Sequence, residues 1–454
     1  MHTASSTSVR QIDVENLFSR YSYLIEAKRD SSLLILYGDN GSGKTTILRM
    51  LFHLLSTARD RGHLTSLGAV PFTRFEVTLD NGLQLFATRE TPHPGPFTYG
   101  LKKDNSDPLT VDVLYDEKRG ATVPRPLQRD LDTLLADIEQ CLGRDIYYIG
   151  DDRSLTSDRL PPHEGPDESH YSSFVTYTAA AARHRRRTVR ALLSDPRTED
   201  LSNTLERASN WIRDTAIDAT RIGTATTNQI YTDIIRRIAA QTSSAEESEH
   251  LTKALLTKLG DLEIRNNDYE PFGLSARLSG NVLRETIAGA DPESRQLIIE
   301  ILQPYLGSVE ARLTAVSTLQ SKLSRFVLWV NRFLKDKSVR VSVPTGIEIF
   351  TDDNQPLAPG QLSSGEQHLL LLLTSTLYAQ QRPTLFVIDE PELSLNMKWQ
   401  RQLPDALSEC ASGESTQFVL ATHSFEILAH HQEEVVELID QPMLSDHISN
   451  AGSG

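Results

Sequence analysis

The run Gly38-Asp39-Asn40-Gly41-Ser42-Gly43-Lys44-Thr45 places glycines, a lysine and a hydroxyl at a spacing that can hold phosphate. Glycines let backbone N–H groups come close and wrap an anion, and a helix starting just after them adds its positive end. At this spacing Lys44 would reach the β- and γ-phosphates of a nucleotide, and the Thr45 hydroxyl would ligate Mg²⁺. Gly38, Asn40, Gly41, Ser42, Gly43, Lys44, Thr45 and the adjacent Thr46 are therefore the candidate contacts to ATP.

Three further segments could complete such a site. In Leu385-Phe386-Val387-Ile388-Asp389-Glu390 an apolar run ends in two carboxylates. Asp389 would hold Mg²⁺ or its water, and Glu390 would polarise an attacking water. Alone the pair is an ordinary acidic turn; a phosphate-binding loop in the same chain changes its meaning. Leu362-Ser363-Ser364-Gly365-Glu366-Gln367 opens a helix with hydroxyls and a glycine, which suits either a plain helix cap or a phosphate oxygen. Ala421-Thr422-His423-Ser424 puts a histidine at a strand end, where a lone histidine is more often a loop residue than a functional one.

The elements that must position these residues are partly legible. Leu33–Tyr37 is a short apolar run, as a buried strand needs, and Ile47–Leu55 continues with helical spacing. Thr73–Leu79 and Leu83–Thr88 flank Asp80-Asn81-Gly82, a hairpin signal. Asp145–Ile149, Val339–Val343, Gly346–Phe350, Thr384–Ile388 and Gln417–Ala421 read as further strands. Residues 151–170 turn polar and proline-rich, as a linker does, and 171–337 reads as mostly helical. In Ser317–Lys335 helical spacing aligns Leu319, Leu323, Phe326, Val330 and Phe333 on one face. Breakers such as Gly260, Pro271, Pro304 and Gly307 argue for a compact helical insertion instead of one long coiled coil. The expected division is a first lobe over 1–150, the insertion over 151–337, a second lobe over 338–440 and a disordered tail over 441–454.

Composition bounds the function classes. At 454 residues with 39% hydrophobic and 24% charged residues, the chain suits two or three folded domains and is not disordered throughout. Its net charge of −15 does not favour nonspecific nucleic-acid binding, although the basic cluster Arg183-His184-Arg185-Arg186-Arg187 with Arg190 offers a local patch. That cluster suits DNA, RNA, an acidic protein surface or a solvated helix face. The 2 cysteines, Cys141 and Cys410, have no metal-ligand spacing and read as reduced thiols. No signal peptide or membrane span is legible, so the expected compartment is the cytoplasm, with no membrane partner.

In their order along the chain, the phosphate loop, LSSGEQ, the strand ending in DE and the strand-end histidine resemble the ABC ATPase superfamily. The resemblance implies an α/β fold: an ABC-type P-loop ATPase head, a mixed sheet with flanking helices, split by a compact α-helical insertion. It also implies that Ser363 and Gly365 meet the γ-phosphate bound by a second head, so that the working unit is a homo-oligomer, at least a head-to-head dimer. By the same resemblance Glu390 is the catalytic base, Asp389 and Thr45 hold Mg²⁺, His423 senses the γ-phosphate, and Lys44 serves both binding and catalysis. Pro391–Asn396 resembles the dimer-contact loop. Two positions depart from the family pattern, Ser364 in place of a glycine and Asn396 where a histidine is common.

The long gap between Lys44 and Ser363 is unlike a transporter subunit and resembles the SMC and RecF branch. LSSGEQHLLLLLTSTLYAQ, LFVIDEPELSLNMKWQRQL and FVLATHSFEIL closely resemble bacterial "AAA family" or OLD-like ATPases, which serve DNA repair and anti-phage defence. OLD-type nucleases carry a Toprim domain after the ATPase, and the stretch after His423 is too short for one. The expectation is therefore a sensor or scaffold subunit of a defence system of the PARIS or Septu type. It would control a separate effector protein, such as a Toprim or other nuclease. The alternative is a RecF- or SMC-like repair ATPase that clamps DNA. No glutamine loop is placed; Asp151-Asp152-Arg153 either fills that region, with Arg153 facing nucleotide or partner, or is a surface turn.

Overall fold

The computed structural model describes residues 7–29, 31–103, 106–158, 201–219, 245–379, 383–411 and 416–439. The basic cluster Arg183–Arg190 and the tail 441–454 lie outside the described residues. The chain forms two compact units, residues 1–200 with 379–454, and residues 201–378.

In the first unit β1 (Val9–Leu17), β2 (Tyr21–Glu26) and β3 (Leu33–Tyr37) lead into helix α1 (Lys44–Leu55) and the short α2 (His63–Ala69). Strands β4 (Arg74–Leu79), β5 (Gln84–Thr88), β6 (Phe97–Lys102), β7 (Leu109–Asp116) and β8 (Gly120–Thr122) follow, then α3 (Gln128–Leu142), β9 (Asp145–Ile149) and β10 (Leu155–Ser157). The second unit holds α4 (residues 201–219), α5 (Ala245–Asn267), α6 (Gly280–Gly289), α7 (Pro292–Ala315) and α8 (Ser317–Phe333). It ends with β11 (Lys337–Ser342), β12 (Gly346–Thr351), β13 (Pro356–Leu357) and α9 (Ser364–Tyr378). The chain then returns to the first unit as β14 (Thr384–Asp389), α10 (Met397–Cys410), β15 (Thr416–Thr422), the single turn α11 (Phe425–Leu428) and β16 (Val435–Glu437).

Two sheets build the first unit. One is antiparallel, in the order β2-β1-β4-β5-β6-β7-β8. Its strands alternate buried and half-exposed residues, as a sheet with one covered face must; in β4 Phe75, Val77 and Leu79 point inward. The other runs β10-β9-β14-β15-β3-β16, parallel throughout except for β10 at its edge. Strands β14 and β15 are buried at every position, which explains their unbroken apolar character. Between the sheets lies one core, to which α1 contributes Ile47, Leu48 and Leu51 and α3 contributes Leu134 and Ile138. An α/β head of mixed strands with flanking helices is what the sequence led us to expect.

In the second unit, helices α5 to α7 enclose their own core around Leu259, Leu262, Leu306 and Leu313. Helix α8 buries the face expected from its spacing: Leu319, Leu323, Phe326, Val330 and Phe333. Pro304, expected to break a helix, lies inside α7. Burial of Leu306, Val309 and Leu313 on the following turns outweighs the missing N–H bond. Gly260 likewise lies inside α5. Among the described residues no helix is long and apolar enough to cross a membrane.

Candidate functional site

The parallel register aligns the strand ends that matter. Thr422 of β15 pairs with Tyr37 of β3, Asp389 of β14 pairs with Ala421, and Ile388 pairs with Ile149 of β9. The loops after β3, β9, β14 and β15 therefore emerge along one edge, the carboxyl ends of parallel strands, where ligands bind in open α/β sheets. Gly38–Thr45, Asp389, Glu390 and His423 are brought to that edge. Ser363 and Gly365 belong to the other compact unit.

The loop after β3 is held from three sides. Tyr23 Oη donates to the Ser42 carbonyl at 2.9 Å. A Cβ on Gly43 would lie 2.8 Å from Leu17 Cδ2, and Gly43 also has φ +91°, so a side chain is excluded twice over. A Cβ on Gly38 would press on Ser42 Oγ at 3.0 Å and Leu438 Cβ at 3.3 Å. Asp39, Asn40 and Gly41 form the exposed tip, with Gly41 at φ +86°. Lys44 opens α1 and folds back, its Nζ donating to the carbonyls of Gly38 at 2.6 Å and Asp39 at 2.9 Å. The ammonium thus lies across its own loop, where a phosphate would meet it. Thr45 and Thr46 are half-buried on the first turn of α1.

Asp389 is 1% exposed, and neither carboxylate oxygen has a hydrogen-bond partner of ordinary geometry among the described residues. Burial pushes its pKa up to about 6; the nearby Thr45 hydroxyl and Arg49 oppose the rise, while Asp151 and Glu390 add to it. A buried carboxylate beside a threonine hydroxyl fits a hard divalent cation, which takes oxygen ligands and would hold the anion charged. No group of three or more His, Cys, Asp or Glu residues that could hold a metal occurs among the described residues. A cation at Asp389 and Thr45 would therefore draw its remaining ligands from water and phosphate, as Mg²⁺ commonly does.

Glu390 has φ +47°, and its N–H is held by the Ala421 carbonyl at 2.9 Å. A non-glycine residue in that region is strained, a common signature of functional positions. His423, with a side chain 45% exposed, places Nδ1 3.7 Å from Glu390 Oε1 and 3.3 Å from Glu392 Oε1. Asn396, at the position where the family pattern has histidine, caps α10 by accepting from Trp399 N–H at 3.0 Å.

Sequence reasoning singled out neither Glu392 nor Arg49. Glu392 is two residues past Glu390, in a segment read as a contact loop; a third carboxylate so close to a strand end was the available signal. Arg49, one turn along α1 from Thr45, donates to Tyr148 Oη at 3.2 Å and lies 3.5 Å from Asp151. Arg153 is 8% exposed, and its guanidinium donates to Ser394 Oγ. It thus ties the loop after β9 to the loop after β14, a role that neither sequence alternative anticipated.

In the second unit Ser363 and Glu366 form a reciprocal cap on α9. Ser363 N–H donates to Glu366 Oε2 at 2.7 Å, and Glu366 N–H points back at Ser363 Oγ at 3.4 Å. Lys337 Nζ holds the other Glu366 oxygen at 2.9 Å. Burial alone would raise the Glu366 pKa, but Lys337 and Ser363 outweigh it and hold the carboxyl below its ordinary range. Ser363 and Ser364 are exposed and Gly365 is buried.

A family model described as "AAA domain, putative AbiEii toxin, Type IV TA system" matches residues 33–429. None of the curated proteins matches the chain. Among solved structures, an Smc head domain with an extended coiled coil bound to the C-terminal domain of ScpA, derived from Pyrococcus furiosus, is 15% identical, with a TM-score of 0.39 over 96% of this chain and 94% of that chain. An SmcHead bound to the C-winged helix domain of ScpA is 11% identical, with a TM-score of 0.36 over 94% of each chain. An Smc head domain with a coiled coil and joint from Pyrococcus yayanosii is 13% identical, with a TM-score of 0.35 over 95% of each chain. These likenesses are loose.

Proposed function

The chain belongs to this AAA-domain family, and on that premise we propose that it binds ATP with Mg²⁺ at Gly38–Thr45 and hydrolyses it. The observation that carries the reading is the buried Asp389 carboxylate beside the Thr45 hydroxyl, on the strand edge that also bears the phosphate loop. Thr45 and Asp389 would hold the Mg²⁺, which supplies charge neutralisation to the phosphates. Lys44 would leave the Gly38 and Asp39 carbonyls for the β- and γ-phosphates. Glu390 would orient the attacking water and accept its proton, and His423 would hold a hydrogen bond to the γ-phosphate. Phosphate release from ATP, measured with Glu390→Gln and Lys44→Ala variants, tests this. We expect loss of turnover in both and loss of ATP binding only in Lys44→Ala. A wild-type rate no higher than that of Lys44→Ala overturns the reading.

Ser363 and Gly365 would complete the site of a second copy, making the working unit a homodimer or larger. The lobes 1–150 and 338–440 would then form the head around the insertion 151–337. In a defence role the ATPase restrains or releases a separately encoded effector, and the alternative is a DNA clamp. The family's description as a putative toxin of a TA system is compatible with the defence role. The net charge of −15 points the same way. A neighbouring effector gene whose toxicity depends on Glu390 is the expected result. An isolated gene with full phage resistance in a Glu390→Gln strain overturns the defence role, and DNA-stimulated hydrolysis would favour the clamp.

A further inference from the structure

We propose that Glu392 is a positioning residue that fixes the proton of His423 on Nδ1, leaving Nε2 as the working nitrogen. The proposal rests on the hydrolytic reading of the site but is argued from contacts independent of nucleotide.

Glu392 is 4% exposed, and its Oε1 collects three neighbours. Thr422 Oγ1 donates to it at 2.6 Å, the His423 backbone N–H donates at 2.9 Å, and His423 Nδ1 lies 3.3 Å away. Oε2 has no partner among the described residues. A buried carboxylate is costly unless it draws donors to itself, and after Thr422 and the backbone amide the imidazole Nδ1, 3.3 Å away, is the next group within ion-pair reach. Glu390 Oε1, the other carboxylate near the ring, lies farther from Nδ1 at 3.7 Å and is more exposed. Both anions therefore face the same ring nitrogen, and the nearer one is fixed in place by two hydrogen bonds.

The surroundings make that placement rigid. Thr422 Oγ1 also accepts from Ser424 N–H at 3.0 Å, and Ser424 Oγ donates to Gln400 Oε1 at 2.7 Å. Gln400 Nε2 in turn donates to the Leu395 carbonyl at 2.8 Å. The loop after β14 and the turn after β15 are thereby closed into one ring of contacts, with Glu392 at its centre. A carboxylate that orients a histidine in this way sets which nitrogen is free to act and stabilises the charge formed when that nitrogen takes up a proton.

The test uses full-length protein labelled with ¹⁵N-histidine, with the His423 signal assigned by its loss in His423→Ala. At a pH where the ring is neutral, the nucleotide-free wild type is expected to show Nδ1 as the protonated nitrogen. Glu392→Gln keeps an oxygen for Thr422 and for the His423 amide but removes the charge, so its ring should move toward a mixture of tautomers. Glu392→Asp keeps the charge and should retain the wild-type tautomer. In steady-state hydrolysis, Glu392→Gln should lower kcat by roughly tenfold, with the KM for ATP within about twofold of wild type. A purely structural role predicts that Gln rescues both readouts. A wild-type ring protonated on Nε2, or a Gln variant with unchanged ¹⁵N shifts, overturns the proposal. If the wild type does not hydrolyse ATP, the functional reading fails while the ¹⁵N readout still decides the role of Glu392.

Discussion

Asp389 shows how a single side chain can oppose folding and prepare a site. Its folded pKa, about 6, lies above the ordinary 3.8, so in the absence of a cation the native state binds its proton more tightly than the unfolded chain does. Stability from this group is therefore full below about pH 4 and is lost as pH rises through 6. By the shift, the loss amounts to about 3 kcal/mol at most. Asp389→Asn should accordingly raise the stability of the nucleotide-free protein at pH 8 by about 1–3 kcal/mol, a gain that shrinks toward pH 4. Denaturant unfolding at several pH values without Mg²⁺ reads it, and a variant less stable than wild type at pH 8 would sink the argument. The same substitution should remove Mg²⁺-dependent turnover. Stability and activity then move in opposite directions, as expected where a charge is kept buried for a ligand.

At the scale of elements, the end of helix α1 is tied down by buried and half-buried titratable groups. His53 Nδ1 meets His63 Nδ1 at 2.9 Å, and His63 Nε2 meets Asp158 Oδ1 at 2.9 Å. Asp158 Oδ2 accepts from the N–H groups of Thr57 and Ala58, so the segment just after β10 is fastened to the turn after α1. Enclosure by protein, with help from His63 and Arg49, lowers the His53 pKa to about 3. The native state therefore keeps His53 neutral while the unfolded chain takes up a proton below 6.5, and stability drains away as pH falls from there toward 3. Asp158→Ala leaves two backbone N–H groups and His63 without their acceptor and should cost about 2–3 kcal/mol. Thermal melting at pH 7.5 checks this, and a change under about 0.5 kcal/mol would show that the tie carries nothing. None of this is legible in the sequence, because His53, His63 and Asp158 meet only after β9 and β10 have added to the sheet. Strands β3 and β14, by contrast, are legible as unbroken apolar runs because both of their faces are covered. Short β8 and β10, with three residues each, give too little pattern to read. Pro304 inside α7 misleads for the opposite reason, since packing overrides a local preference. Within the site, the phosphate loop and the Asp389–Glu390 pair are legible because their chemistry needs neighbours in sequence. The Glu392–Thr422–His423 cluster is not, because it joins loops after two different strands.

At the scale of the whole molecule, the decisive matter is whether one chain completes a site. The Ser363–Glu366 cap leaves the Ser363 side chain exposed at the start of the 15-residue helix α9, where the helix's positive end would favour an anion. Lys337 and Glu366 hold that cap in place. If this helix end meets the γ-phosphate bound by another copy, ATP itself becomes part of the interface, and pairing should depend on nucleotide and last only as long as the γ-phosphate. Glu390→Gln, which on the proposed mechanism would slow hydrolysis without touching the phosphate loop, should therefore run at twice the monomer mass or more with ATP and Mg²⁺, and at lower mass with ADP. Replacing Ser363 by arginine in that background should return it to the lower mass, because a bulky side chain would fill the space the phosphate needs. Light scattering on these samples and on the nucleotide-free protein distinguishes the outcomes. A mass that is the same with ATP, ADP and no nucleotide would mean that assembly does not run through the nucleotide, and Ser363 would then be a helix cap and nothing more. A nucleotide-dependent increase that survives the arginine would place the interface elsewhere. Loss of the increase in the arginine variant alone, with ATP binding intact, is the result that a shared site requires.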